Sequence, residues 1–168
     1  HLLDWLSERK HGGHHWPQPV RFYLRLLHRH PIATTFFTLL ILYLPYMIYS
    51  FPGILTSDTV AQLENSYAAL LAGTSRLKNH HPVVHTLLLY GFTRFGEFAF
   101  HSANIGLGLF ALVQICFLFF SISWLMQFLL EHHVSARCLG LVLLFYVLAP
   151  RMRNYMFLLV KDTWFAGF

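Results

Sequence analysis

The chain has 168 residues, 56% of them hydrophobic, 17% aromatic and only 11% charged, with a positive mean hydropathy, which places it in the membrane class before any motif is read. Its two cysteines, Cys116 and Cys138, both lie inside apolar runs, where thiols behave as small hydrophobes, so a disulfide framework is excluded. The formal charge of +5 comes mostly from Arg9, Lys10, Arg21, Arg25 and Arg29, which abut the first apolar run; that position fits topology setting and contact with anionic membrane lipids, and not nucleic acid.

Residues 1–30 read as a basic cytoplasmic tail, broken into short pieces by Gly12-Gly13, Pro17 and Pro19. Its histidines have no regular helical spacing with an acid, so a metal tract is set aside in favour of a solvated tail. No cleavable signal peptide is visible, because the first apolar run starts about thirty residues in and no small-residue cleavage site follows it. Pro31 to Ser50 carries no charge and is long enough to cross a hydrocarbon core of roughly 30 Å. Pro45 would kink it near its outer end, where Tyr43, Tyr46 and Tyr49 supply an aromatic belt. The basic residues before it hold the N-terminus in the cytoplasm, so the stretch from Phe51 emerges outside.

Residues 51–103 are then an extracytoplasmic loop with juxtamembrane helices. From Asp58 to Leu71 the period is helical: Val60, Leu63, Tyr67, Leu70 and Leu71 share one face, and Asp58, Gln62, Asn65, Ser66 and Ala69 the other. This helix is too short to span and is expected to lie in the interface with its polar face lifted from the acyl chains, ending at Gly73. Pro82 suits the first turn of a second helix, in which Arg94 and Glu97 interrupt the apolar run. If residues 82–100 cross, Lys and Arg divide nine inside to three outside; if they stay peripheral, six to six. The positive-inside rule prefers crossing, but two charges in lipid and the need for outside cations favour the peripheral arrangement, which is the one adopted.

Ile105 to Leu130 is the second clear span, with Gln114 and Gln127 as polar exceptions; Cys138 to Pro150 returns as a third and delivers Arg151 and Arg153 to the surface; Tyr155 begins another apolar element interrupted by Lys161-Asp162. The chain opens without Met and stops inside an apolar run, so a longer protein is expected.

The order FPG, SD, Q, G, HHP and the later KD resembles the amino-terminal part of the GT-C fold integral membrane glycosyltransferases, the group that contains the protein mannosyltransferases and the aminoarabinose transferases of lipid A. The ordered match runs from Pro31 to about Gln127. The resemblance implies an all-α, polytopic GT-C-like bundle and inversion at the sugar carbon, with transfer from a polyprenyl-phosphate donor to an extracytoplasmic acceptor at the plasma membrane. Ser57 stands where the mannosyltransferases commonly carry the first of two acids. The resemblance carries over onto Asp58, His81-Pro82 and Lys161-Asp162.

On this reading Asp58 is the catalytic base, although an Asp there also suits a helix cap. Arg76, Lys78, Arg151, Arg153 and Lys161 hold the carrier phosphate or anchor lipid headgroups, and Gln62 and Asp162 line the site. His81 and His85, one turn apart, bind substrate; with Asp58 or His80 they also have a metal-ligand spacing, but no third ligand follows at a regular interval, so a cofactor-free site is the expectation. The competing class is a transporter or channel in which Asp58, His81, His85 and Asp162 form a proton or cation path. Such paths sit near the bilayer midplane, often in repeated halves, whereas these residues sit at span ends and no repeat is visible.

Overall fold

A computed structural model of the chain describes residues 17–73 and 82–167, without the side chains of Ala136, Arg137, Pro150 and Arg153. Among the described residues every regular element is helical. The basic stretch before the first span is not only a broken tail: α1 (Gln18–Arg29) forms with Pro19 in its first turn, where a missing N–H costs nothing, and buries Leu27 against the next helix. Tyr23 and Thr38 share a hydroxyl contact of 3.3 Å, and the Thr34 hydroxyl donates to the Leu26 carbonyl at 3.1 Å, which fixes α1 onto α2 (Pro31–Tyr49).

Among the described residues two helices are long and apolar enough to cross a membrane: α2, of 19 residues, and α5 (Ala103–Glu131), of 29. They lie antiparallel, because Arg29 and His30 meet Gln127 at one end while Phe51 meets Gly108 at the other. Their seam is the larger core, Leu39 and Tyr43 against Ile115, Phe119 and Ile122, closed by Met156 and Phe157. The outward faces stay apolar, with Phe37, Ile41, Ile48, Trp124 and Phe128 all exposed, while Thr35, Gln114 and Ser123 are buried. The expected aromatic belt is corrected here. Tyr43 is buried against Phe119 and Phe157 and donates to the Tyr146 carbonyl, Tyr46 donates to Asn154 at 2.6 Å, and of the three only Tyr49 is exposed.

The segment after α2 folds back on the start of α5. After a turn with a cis Phe51–Pro52 peptide come α3 (Ser57–Ser66), one π-helical turn (Tyr67–Leu71), and α4 (Val83–Phe100). Gly73, at φ +65°, ends the first pair, as its permissive backbone allows. A left-handed His101 and an Ser102 cap turn α4 directly into α5, and the two pack closest at Gly96 and Gly106, where a Cβ on Gly96 would sit 2.5 Å from the Gly106 Cα. Leu89, Leu107, Phe110, Ala111 and Leu159 form the second core there.

From the far end of α5 the chain returns through α6 (Ala136–Leu148), which at 13 residues matches the expected third span in length and lies two residues earlier, into α7 (Pro150–Phe157) and α8 (Lys161–Phe165). Between the last two it is extended, and it pairs with the segment after α2: Ile54 N–H donates to the Phe157 carbonyl at 2.8 Å and Leu159 N–H to the Ile54 carbonyl at 3.2 Å.

Candidate functional site

Asp58 is exposed in the first turn of α3, but it is not the cap. Thr56 is: its hydroxyl accepts from Thr59 N–H at 3.2 Å while the Thr59 hydroxyl accepts from Thr56 N–H, a reciprocal capping box. The capping explanation for an acid at 58 is therefore taken by its neighbour. What Asp58 adds to the helix is a negative charge at the positive end of the macrodipole.

The face of α3 expected to point into water is turned largely into the protein. Thr59, Gln62 and Ser66 are buried, while Val60, Leu70 and Leu71 are exposed. The physical reason is that the Thr59 hydroxyl and the Gln62 amide find partners on other elements while the Ser66 hydroxyl donates back to the Leu63 carbonyl at 2.7 Å, whereas the aliphatic residues have no such partners to gain. Gln62 Nε2 donates to the Thr86 hydroxyl at 2.6 Å, and its Oε1 lies 3.2 Å from His85 Nδ1, whose ring stands edge-on to Phe110. Gln62 and His85, both expected to touch substrate, are thus nine-tenths or more buried and joined to each other. Their geometry suits holding α3 against α4.

Thr59 makes the decisive long-range bond. Its hydroxyl donates to the Leu159 carbonyl at 2.9 Å in a buried setting, and Gln114, from the middle of α5, donates to the Met156 carbonyl at 3.2 Å and the Leu158 carbonyl at 2.8 Å. The extended strap is therefore clamped from both sides. This brings the segment carrying Asp58 alongside the one carrying Lys161 and Asp162, which open α8 as half-buried and exposed residues. Among the described residues no ion pair joins Lys161 to Asp162. Arg151, exposed in the first turn of α7, belongs to the same end of the molecule. Arg76, Lys78 and His81 lie outside the described residues, as does the Arg153 side chain.

A second polar cluster was not foreseen. The Tyr67 hydroxyl, at the π-helical turn, donates to Glu97 Oε1 at 2.7 Å, and Arg94 bonds the other carboxylate oxygen, so the two charges that interrupt α4 satisfy each other. Burial first, and then the Glu97 carboxylate, push the Tyr67 phenol up to about 12. The same carboxylate raises the Arg94 guanidinium above its ordinary value. The signal for this cluster was present in the i, i+3 spacing of Arg94 and Glu97; Tyr67, read as apolar, hid its third member.

Beside the strap, an apolar groove of about 560 Å³ opens between the end of α2 and the start of α5, walled by Leu44, Met47, Phe51, Ile105 and Leu112. Among the described residues no three His, Cys, Asp or Glu side chains converge on a metal position. The arrangement offers two exposed carboxylates, Asp58 and Asp162, with Lys161 and Arg151 at the same end and an adjoining apolar channel.

Residues 69–168 match a family model described as a family of unknown function (DUF6020). No curated protein and no solved structure matches the chain.

Proposed function

The chain belongs to the DUF6020 family, and for it we propose a membrane glycosyltransferase of GT-C type that moves a sugar from a polyprenyl-phosphate carrier to an acceptor outside the plasma membrane. The observation that carries the reading is the Thr59 to Leu159 bond, which holds the start of α3 against the strap leading to Lys161. Asp58 takes the acceptor's proton as the acceptor oxygen attacks the sugar, and the carrier phosphate departs from the opposite face. Lys161 and Arg151 stabilise the charge that develops on that phosphate, with Arg76, Lys78 and Arg153 as further candidates. The apolar groove beside the strap suits the first isoprene units. Gln62 and His85 keep α3 in register; Asp162 orients the acceptor.

The pairing of Ile54 with Leu158 also supports the peripheral position of α4. Two bonded strands share one side of the bilayer, so the chain between them crosses an even number of times. If α6, at 13 residues, completes the return that α5 begins, the two make an even number of crossings, and a third through α4 would separate the bonded residues. The apolar outer faces of α2, α5 and α6 support a polytopic protein, and the arginines of α1 support a cytoplasmic N-terminus.

The transporter reading, a path through Asp58, His81, His85 and Asp162, meets a different arrangement: His85 is buried against Gln62, whereas Asp58 and Asp162 stand exposed at helix starts.

The test is sugar transfer by the full-length protein in nanodiscs. Asp58→Asn leaves the Thr56 cap in place, so donor binding and folding are expected to hold while turnover drops roughly 10²- to 10⁴-fold with the loss of general-base catalysis. Near-normal turnover in the variant removes Asp58 from the reaction.

A further inference from the structure

The end of the molecule opposite Asp58 carries a second groove, of about 500 Å³, in the elbow between α1, α2 and the last turns of α5. Its head is formed by the Arg29 cation and the His30 imidazole, and Phe36, Phe120, Ala33 and Gln127 line the rest. We propose that this groove is a defined site for one anionic phospholipid of the cytoplasmic leaflet, the phosphate lying on Arg29 and His30 and an acyl chain running between Phe36 and Phe120.

Three features on independent parts of the chain favour that occupant. The groove joins a charged head to an aromatic, open-sided trough, which is the shape of a headgroup followed by a chain; a free anion would have no use for the trough. It sits where α2 and α5, the two helices of membrane-crossing length, begin and end, at the depth of the polar interface. And α1 extends the same chemistry along the surface: Arg21, Arg25 and Arg29 recur one turn apart on its exposed side, flanked by exposed Phe22 and Leu26, while Leu27 is buried against the body of the protein. A helix with a basic row beside exposed apolar side chains lies in the plane of an anionic membrane surface. The acid one turn beyond Gln127, Glu131, accepts the Gln127 amide at 2.7 Å and is not among the residues that line the groove.

The inference rests on the reading that α2 and α5 span a bilayer, and the experiment separates the two. The full-length protein, delipidated in mild detergent, is titrated with phosphatidylglycerol or phosphatidylcholine of matched chains and followed by native mass spectrometry. One phosphatidylglycerol is expected to bind at least about tenfold more tightly, given two basic groups at the headgroup. Arg29→Ala should weaken it about fivefold, as the loss of one surface cation implies, and Arg29→Lys should restore most of the difference. Ala33→Trp, which fills the groove without removing a charge, should abolish the preference. Equal binding of the two lipids, full affinity in both Arg29→Ala and Ala33→Trp, or displacement of phosphatidylglycerol by millimolar inorganic phosphate overturns the site. A protein that stays monodisperse without detergent and binds neither lipid overturns the membrane reading as well.

Discussion

Tyr67 is the side chain whose environment departs most from its sequence character. Read as part of an apolar stripe, it instead gives its hydroxyl to Glu97 and holds its proton up to about pH 12, against an ordinary 10.0. A phenol whose folded-state value is raised contributes stability that is intact below pH 10 and is lost as the pH climbs through 12, because the unfolded chain releases that proton first. In an absorbance titration at alkaline pH, Tyr67→Phe should remove one late-ionising tyrosine, and Glu97→Gln should bring that component to lower pH. A Tyr67→Phe difference spectrum centred near 10 would show that the Glu97 contact does not persist in solution. Asp58 was legible at this scale because an isolated acid after a Pro-Gly turn stands out in apolar sequence. Thr59 was not: a threonine among polar neighbours gives no sign that its hydroxyl will reach a carbonyl on a strap far along the chain.

Among the elements, α2 and α5 were readable to within a few residues, since long uncharged runs have few alternatives. The Asp58 to Leu71 helix was legible as a helix but not in its orientation. Periodicity separates two faces without saying which one the protein covers, and here hydrogen bonding to Thr86 outweighed exposure to water. α1 was missed because Pro17 and Pro19 read as breakers, whereas a proline at a helix start is compatible with the turn that follows. The α4–α5 hairpin makes a sharper prediction. Gly96→Ala forces its Cβ to within 2.5 Å of the Gly106 Cα, so backbone must move, at a cost of about 1–3 kcal/mol. Gly91→Ala, on the same helix but with nothing within 4 Å of its Cβ, should gain about 0.5–1 kcal/mol from reduced chain entropy. Thermal unfolding of the two variants in detergent checks the pair, and equal shifts would mean that the helices are not in contact at Gly96.

At the level of the whole molecule, the two ends differ in chemistry: α1 presents arginines at one, and Asp58, Arg151, Lys161 and Asp162 stand at the other. On the proposed topology, which keeps Ile54 and Leu158 on one side of the bilayer, Asn154→Cys is expected to be labelled by a membrane-impermeant thiol reagent from outside the cell. Protection from outside with labelling from the cytoplasm would require α4 to cross and would dismantle the site built on the strap. The sequence could not decide this, because it offers the positive-inside count and the discomfort of Arg94 and Glu97 as opposing arguments of similar weight; the strap supplies a pairing between residues about a hundred positions apart. That pairing also sets a timetable for biosynthesis. The outer loop emerges early but lacks its partner until Leu158 has been made, so at about 5–20 residues per second α3 waits on the order of 5–20 s with Thr59 uncommitted. Any ribosomal pause before Leu158 prolongs that exposure, and a chain cut short there releases a loop that has never closed.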